Sequence, residues 1–185
     1  MSASLSGWGI STELPEGWEG RISLRVTPTG TTHDEASAEA PSTRRTLRAL
    51  AGSSAPGAVG WPGEIPNPVV HLANFALPPG RGDFGSGATD RMTEANALIV
   101  LFEYGPESVG RPLFASQGLP RTLRPHHFRS NALQRQIPGQ VGFQHFFTEA
   151  GRAFTLFVVL GSTRHAPTLT ASCNRTLANT RISPR

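Results

Sequence analysis

Residues 140–161 read QVGFQHFFTEAGRAFTLFVVLG, and how this stretch folds decides the rest. Two apolar runs flank Glu149-Ala150-Gly151, the pattern of a β-hairpin. Gly151 suits the positive φ that a three-residue loop with a G1 bulge requires. With that loop, Thr148 lies opposite Arg152, and side chains alternate outward from there. One face then carries Val141, Phe143, His145 and Phe147 beside Ala153, Thr155, Phe157 and Val159, and is the first core candidate. Phe157 is expected deep in that core, with Phe143 beside it. The opposite face carries Gln140, Gly142, Gln144 and Phe146 beside Phe154, Leu156, Val158 and Leu160. The second strand is thus apolar on both sides, which marks a central strand covered twice.

A cover follows at once in the chain. Pro167 fits the first turn of a helix, where its missing N–H has no intrahelical partner to lose. Leu169, Cys173 and Leu177 follow at i, i+4 and i+8, one helical face. The spacing predicts a helix over about Pro167–Asn179, packed on Phe154, Leu156, Val158 and Leu160. Burial contributes roughly 1.5–3 kcal/mol per large side chain. The β-branched Thr168, Thr170 and Thr176 lower the intrinsic propensity, so this helix depends on the sheet.

Upstream, Gly9–Leu14 reads as a short strand ending at Pro15-Glu16-Gly17-Trp18. Arg21–Val26 alternates, with Ile22, Leu24 and Val26 inward and charged residues outward, as suits an edge strand. Thr27–Pro68 is rich in Ser, Thr, Ala, Gly and Pro. It contains a candidate helix at Thr43–Ala51 and an anchor at Trp61-Pro62-Gly63. About Thr29–Ala58 is expected to be mobile, having few apolar groups to offset ordering entropy. Val69–Leu77 and Ala97–Tyr104 read as strands, the latter apolar on both faces until Glu103. Glu107–Arg129 is Pro- and Arg-rich loop, and Asn131–Ile137 is expected to be extended. Strands first and one clear helix last give an α+β fold: an antiparallel β-sheet with a C-terminal helix packed on one face. The alternative is a β-sandwich in which the last segment is not helical. A chain of 185 residues suits a single domain over 1–185, with a loop at about 27–68.

Composition narrows the setting. No run of apolar residues is long enough for a transmembrane helix, so membrane insertion is not expected. The opening MSASLSGWGISTELP lacks the basic and apolar regions of a secretion signal. A single cysteine excludes an internal disulfide framework. The expected address is cytoplasmic, with a trimmed secretion signal as the alternative. All 17 basic residues are arginine. Residues 1–110 hold 7 Arg against 12 acids, a net −5, whereas residues 111–185 hold 10 Arg against Glu149 alone, a net +9. Such asymmetry points to an acidic partner.

Leu14-Pro15-Glu16-Gly17-Trp18 resembles the P-x-G-W opening of PsbP-like domains. The hairpin Val141–Leu160 and the segment Leu169–Ile182 resemble the way those domains close. The resemblance implies a non-enzymatic binding or accessory module with an antiparallel sheet flanked by helices. It covers the two ends of the chain and carries over no functional residue.

Motifs for chemistry are few. Gly80-Arg81-Gly82-Asp83-Phe84-Gly85 spells G-x-G-x-x-G, but Pro78-Pro79 precedes it and a strand is expected next, so it reads as a turn-rich loop. Arg81-Gly82-Asp83 spells an adhesion tripeptide with no secretion signal behind it. Adjacent His126 and His127 point to opposite sides of an extended chain and do not share a metal readily. His145, opposite Thr155, reads as a buried neutral histidine bonded to that hydroxyl, and His71 reads likewise. Cys173, on the apolar stripe, reads as an inert thiol. Ser53-Ser54 lack a G-x-S-x-G setting. Glu13, Glu16 and Glu19 flank a turn, and Glu103 is expected to pair with an arginine for structure. No catalytic residue, cofactor or metal ligand is assigned.

What stands out is Arg111, Arg121, Arg124 and Arg129, with Arg135 just beyond, in a stretch free of acids. They either reach back to Glu94, Glu103 or Glu107, or form an anion-receptive patch. The function expected is a protein-binding or assembly module with an acidic partner. A nucleic-acid or polyanion binder is the alternative and an enzyme a distant third. Phe114 and Phe128 are the aromatics nearest these arginines in sequence. Oligomeric state is not readable.

Overall fold

The computed structural model describes residues 3–27, 65–132 and 136–185. The candidate helix at Thr43–Ala51, the mobile stretch Thr29–Ala58, Ser53-Ser54 and the Trp61 anchor lie outside the described residues. Met1–Arg25 with Pro66–Arg185 forms one compact unit, described below.

The hairpin is one residue tighter than its sequence suggested. Strands β6 (Val141–Glu149) and β7 (Arg152–Leu160) pair with Glu149 opposite Arg152, leaving Ala150-Gly151 as a two-residue loop. Both loop residues have positive φ, 54° and 72°, as a type I′ turn requires, because its twist matches that of the strands. The slip re-pairs the faces of the two strands. Val141, Phe143, His145 and Phe147 lie beside Leu160, Val158, Leu156 and Phe154, not beside the odd-numbered residues of β7. Phe157 is buried, but it faces Gln144 on the side of the sheet away from Phe143.

Around this hairpin stand β1 (Ala3–Gly7), β2 (Ile10–Leu14), β3 (Glu19–Thr27), β4 (Ile65–Ala73), α1 (Ser86–Thr89), β5 (Ala97–Glu103), α2 (Ala166–Ala178) and β8 (Arg181–Ile182). They make two antiparallel sheets, one five-stranded in the order β3-β4-β5-β7-β6, the other three-stranded in the order β1-β2-β8. With α2 packed against them the fold is α+β, and the helical last segment removes the sandwich alternative. The three-stranded sheet was not foreseen. Its β1–β2 hairpin closes on Trp8-Gly9, again a pair of positive-φ residues.

β5 and β7 are buried along their whole length because both faces of the large sheet are covered. On one face, Ile99, Leu101, Phe154, Leu156, Val158 and Leu160 meet Leu169, Cys173 and Leu177 of α2, with Ile10, Leu14 and Ile182 of the small sheet. Trp18 is buried in the same layer. Its backbone N–H bonds the Pro15 carbonyl (3.1 Å) to close the Pro15–Trp18 turn. Its indole N–H donates to Ser172 Oγ on α2 at 3.2 Å. On the other face, Val69, Leu98, Val100, Phe102, Phe157 and Val159 are covered by the chain between β4 and β5. Asn74 fixes the ends of that cover, donating to the Ala95 carbonyl (2.9 Å) and accepting from the Ala97 N–H (2.7 Å). This turn also ends β4 at Ala73, short of Leu77, while its start at Ile65 takes in residues read as loop.

Three local expectations change. β3 is an edge strand with Arg21 and Arg25 exposed, but Leu24 is 41% exposed because no described layer covers that end. Ser130–Ala132 is a 3-10 turn rather than extended chain. A one-turn helix, α1, and not a strand, follows the glycines at 80–85.

Ala150 holds a left-handed conformation that costs an L-residue roughly 1–2 kcal/mol, and Asn tolerates it better. Ala150→Asn is expected to stabilise the chain by about 0.5–1 kcal/mol in urea unfolding. A three-residue bulged loop would make the substitution neutral or harmful.

Candidate binding surface

The segment between β5 and β6 carries the arginines, and proline explains its irregular course. Pro106, Pro112 and Pro125 each open a 3-10 turn, where a residue without an N–H loses nothing. Phe114, Leu119, Leu123 and Phe128 are buried and hold the segment down, while most residues between them stay exposed. Polar pins complete the attachment. Asn174 of α2 brackets Leu123, accepting from its N–H (2.8 Å) and donating to its carbonyl (3.0 Å). Thr148 Oγ1 donates to the Phe114 carbonyl at 2.8 Å.

The arginines separate into two kinds. Arg121 is structural: it donates to Glu149 Oε1 at 3.0 Å and to the Thr180 carbonyl at 3.4 Å. Glu149 also accepts from the Leu119 N–H at 2.6 Å. Arg121 thus reaches forward to the one acid of the basic half and not back to Glu94, Glu103 or Glu107. Arg111, Arg124 and Arg129 are exposed. Arg111 Nε reaches only the Glu107 carbonyl, at 3.2 Å. Arg129 exchanges backbone bonds with Gly142 of β6, at 2.8 and 2.9 Å. Arg135 lies outside the described residues.

Rings from two separated segments meet near Arg124, which sequence distance hid. Along β6, Phe143, His145 and Phe147 project from one face and stack in series, with centroids 6.1 and 6.3 Å apart. His127 stacks on Phe143 at 5.9 Å, and His126 meets His127 edge-on at 4.6 Å. The Arg124 N–H donates to His127 Nδ1 at 3.3 Å. Partial burial, then the positive fields of His126 and Arg124, hold His127 below the ordinary histidine pKa. Partial burial does the same to His145. The expected bond between Thr155 and the His145 ring is absent. The hydroxyl donates to the His145 backbone carbonyl at 3.4 Å, and Leu156 lies opposite.

Other candidates for chemistry resolve as structure. Glu103 is buried and pairs with Arg152 at 2.6 Å and Arg185 at 2.9 Å. Cys173 is fully enclosed, and burial pushes its thiol up to about 12. Among the described residues no three His, Cys, Asp or Glu side chains group as metal ligands. No described helix is long and apolar enough to cross a membrane. An open groove lined by Leu5, Arg21, Ile22, Leu77, Pro79 and Arg81 offers two guanidiniums but no base or nucleophile. Comparison with protein-family models, curated proteins and solved structures finds no match to this chain.

His71 on β4 is 1% exposed, and neither ring nitrogen has a hydrogen-bond partner. The Gly82 and Asp83 backbone lies near the ring without bonding geometry. Burial, reinforced by Arg81, lowers the pKa from 6.5 to about 4. Above pH 6.5 the ring is neutral whether the chain is folded or not. Below it, the unfolded chain takes up a proton that the folded chain refuses until about pH 4. Stability should therefore fall between those values by roughly 3 kcal/mol. Urea unfolding of wild type and His71→Leu from pH 7 to 4 checks this. The variant should show a flatter acid limb, and identical slopes would contradict the assignment.

Proposed function

We propose that the chain is a non-enzymatic protein-binding or assembly module that holds an acidic partner on the surface carried by residues 108–148. One observation carries the reading. Arg111, Arg124 and Arg129 are exposed around the β6 edge, and no carboxylate occurs between Glu107 and Glu149 to neutralise them. Unpaired cations of one sign raise the local potential and steer an oppositely charged partner. Irregular surface segments on a rigid sheet commonly carry recognition. The resemblance of the chain's two ends to PsbP-like accessory domains agrees with a binding role.

A second reading has its own support. The half-exposed row His127, Phe143 and His145 beside arginines resembles the stacking platforms that hold single-stranded nucleic acid. Binding of polyglutamate and of a labelled single-stranded oligonucleotide, measured from about 50 to 200 mM salt, separates the two. The protein-partner reading predicts polyglutamate binding that the triple variant Arg111→Gln, Arg124→Gln, Arg129→Gln abolishes. Tighter oligonucleotide binding, with a log–log salt slope near −2 from about 0.7 per phosphate, would transfer the assignment to nucleic acid. No binding of either at low salt would overturn both.

A further inference from the structure

Among the described residues, the outer edge of β6 is paired at both ends and unpaired between them. With a two-residue loop, the odd-numbered residues from Val141 to Glu149 exchange backbone bonds with β7. The N–H and C=O groups of the even-numbered residues therefore point outward. At Gly142 they bond Arg129, at 2.8 and 2.9 Å. At Thr148 the N–H donates to Ser116 (2.8 Å) and the carbonyl accepts from Gly118 (2.9 Å). At Gln144 and Phe146, no described residue meets them. Roughly 20 Å of strand separates the two bridged positions, at about 3.4 Å per residue. Gln144 is exposed, Phe143, His145 and Phe146 are half-buried, and no charged residue guards this stretch.

An unprotected edge of this kind is a template for another strand. We propose that it receives an extended acidic peptide segment of the partner as an added strand, docked on Gln144 and Phe146. Charge selects this occupant. Arg129 is bonded to Gly142 at one end of the opening, with Arg124 close by through His127. Arg111 directly precedes the Pro112–Phe114 turn bonded to Thr148 at the other end. A segment with carboxylates flanking its central residues would meet cations on both sides. A second copy of this chain would bring like charges together, which disfavours edge-to-edge pairing. The inference rests on the acidic-partner reading above and adds to it the place and manner of docking.

Amide exchange followed by NMR tests it directly. In the free protein the Gln144 and Phe146 amides should exchange fast, while Phe143 and His145 are slow. A five-residue peptide alternating Glu and Val should slow Gln144 and Phe146 by about tenfold or more. Its Val/Lys counterpart should leave them unchanged. Gln144→Pro removes an outward N–H without touching the bonds to β7. It should keep the fold, judged by its melting transition, and lose the peptide. Binding without protection of these two amides, equal protection by the Lys peptide, undiminished binding to a folded Gln144→Pro variant, or no binding of either peptide would each overturn the proposal. Protection that rises with protein concentration alone would assign the edge to a second copy and overturn it too. Polyglutamate binding that needs the arginines but survives Gln144→Pro would leave the proposed function standing and remove strand addition.

Discussion

Arg152 sits beside the tightest turn of the large sheet and holds the small sheet to it. Its guanidinium donates to both oxygens of Glu103, at 3.0 and 2.6 Å, to the Trp8 carbonyl at 3.0 Å and to the Ser183 carbonyl at 2.9 Å. Its side chain is 4% exposed and lies 5.1 Å over the Phe154 ring. A planar five-donor fork is the one side chain able to satisfy a carboxylate and two carbonyls at once. The residues around it conform to that demand. Gly9 has φ 73°, and a Cβ there would come within 2.9 Å of the Arg152 guanidinium. Gly9 also accepts from the Ser183 N–H at 2.8 Å, locking the end of β8 against β2. Arg185 closes the arrangement on Glu103. Desolvating such a group is costly, so its worth lies less in net stability than in fixing one arrangement of the two sheets.

Arg152 shares the α2 side of the sheet with Phe154, Leu156, Val158 and Leu160 through the alternation of β7. The two-residue loop at Ala150-Gly151 decides which face of β6 joins that side. The expectation that α2 covers those four residues was correct, since β7 alternates the same way whatever it pairs with. Which side chains of β6 join them was not readable, because the loop length rested on one glycine. Ala150 at positive φ carries none of the usual Asn, Asp or Gly signature. The long apolar runs at Ala97–Glu103 and Arg152–Leu160, and the Leu169–Cys173–Leu177 stripe, were legible because burial on two faces or at helical spacing leaves a strong pattern. β1 and β8 were not. β1 is short and mostly polar, and β8 is two residues whose pairing with β2 joins segments more than a hundred residues apart, a seam that Thr180 Oγ1 braces by donating to Thr12 Oγ1 at 3.1 Å.

The candidate surface divides along the same line. Sequence showed an acid-free stretch rich in arginine, but not which arginines were spoken for. Arg121 is consumed by Glu149 because the Leu119–Leu123 anchor brings the two together. That leaves Arg111 and Arg124 near a strand edge that only the fold creates. The ring series His127–Phe143–His145 joins residues from two separated segments. The period-2 spacing of Phe143, His145 and Phe147 was its one visible trace. His71 was read correctly as buried and neutral, yet the hydroxyl partner expected for it is absent.

If Arg152 couples the two sheets, removing it should loosen the small sheet selectively. Native-state amide exchange on Arg152→Met, alone and with Glu103→Leu, measures this most directly. The single variant should lose roughly 3–5 kcal/mol, as expected when one partner of a buried pair is removed. Replacing both partners should recover part of that loss. In both variants the amides of β2 and β8 should exchange much faster relative to those of β5 and β7, because the Trp8 and Ser183 carbonyls no longer have their donor. An Arg152→Met chain within about 1 kcal/mol of wild type, with Ile10–Leu14 as protected as before, would contradict the account.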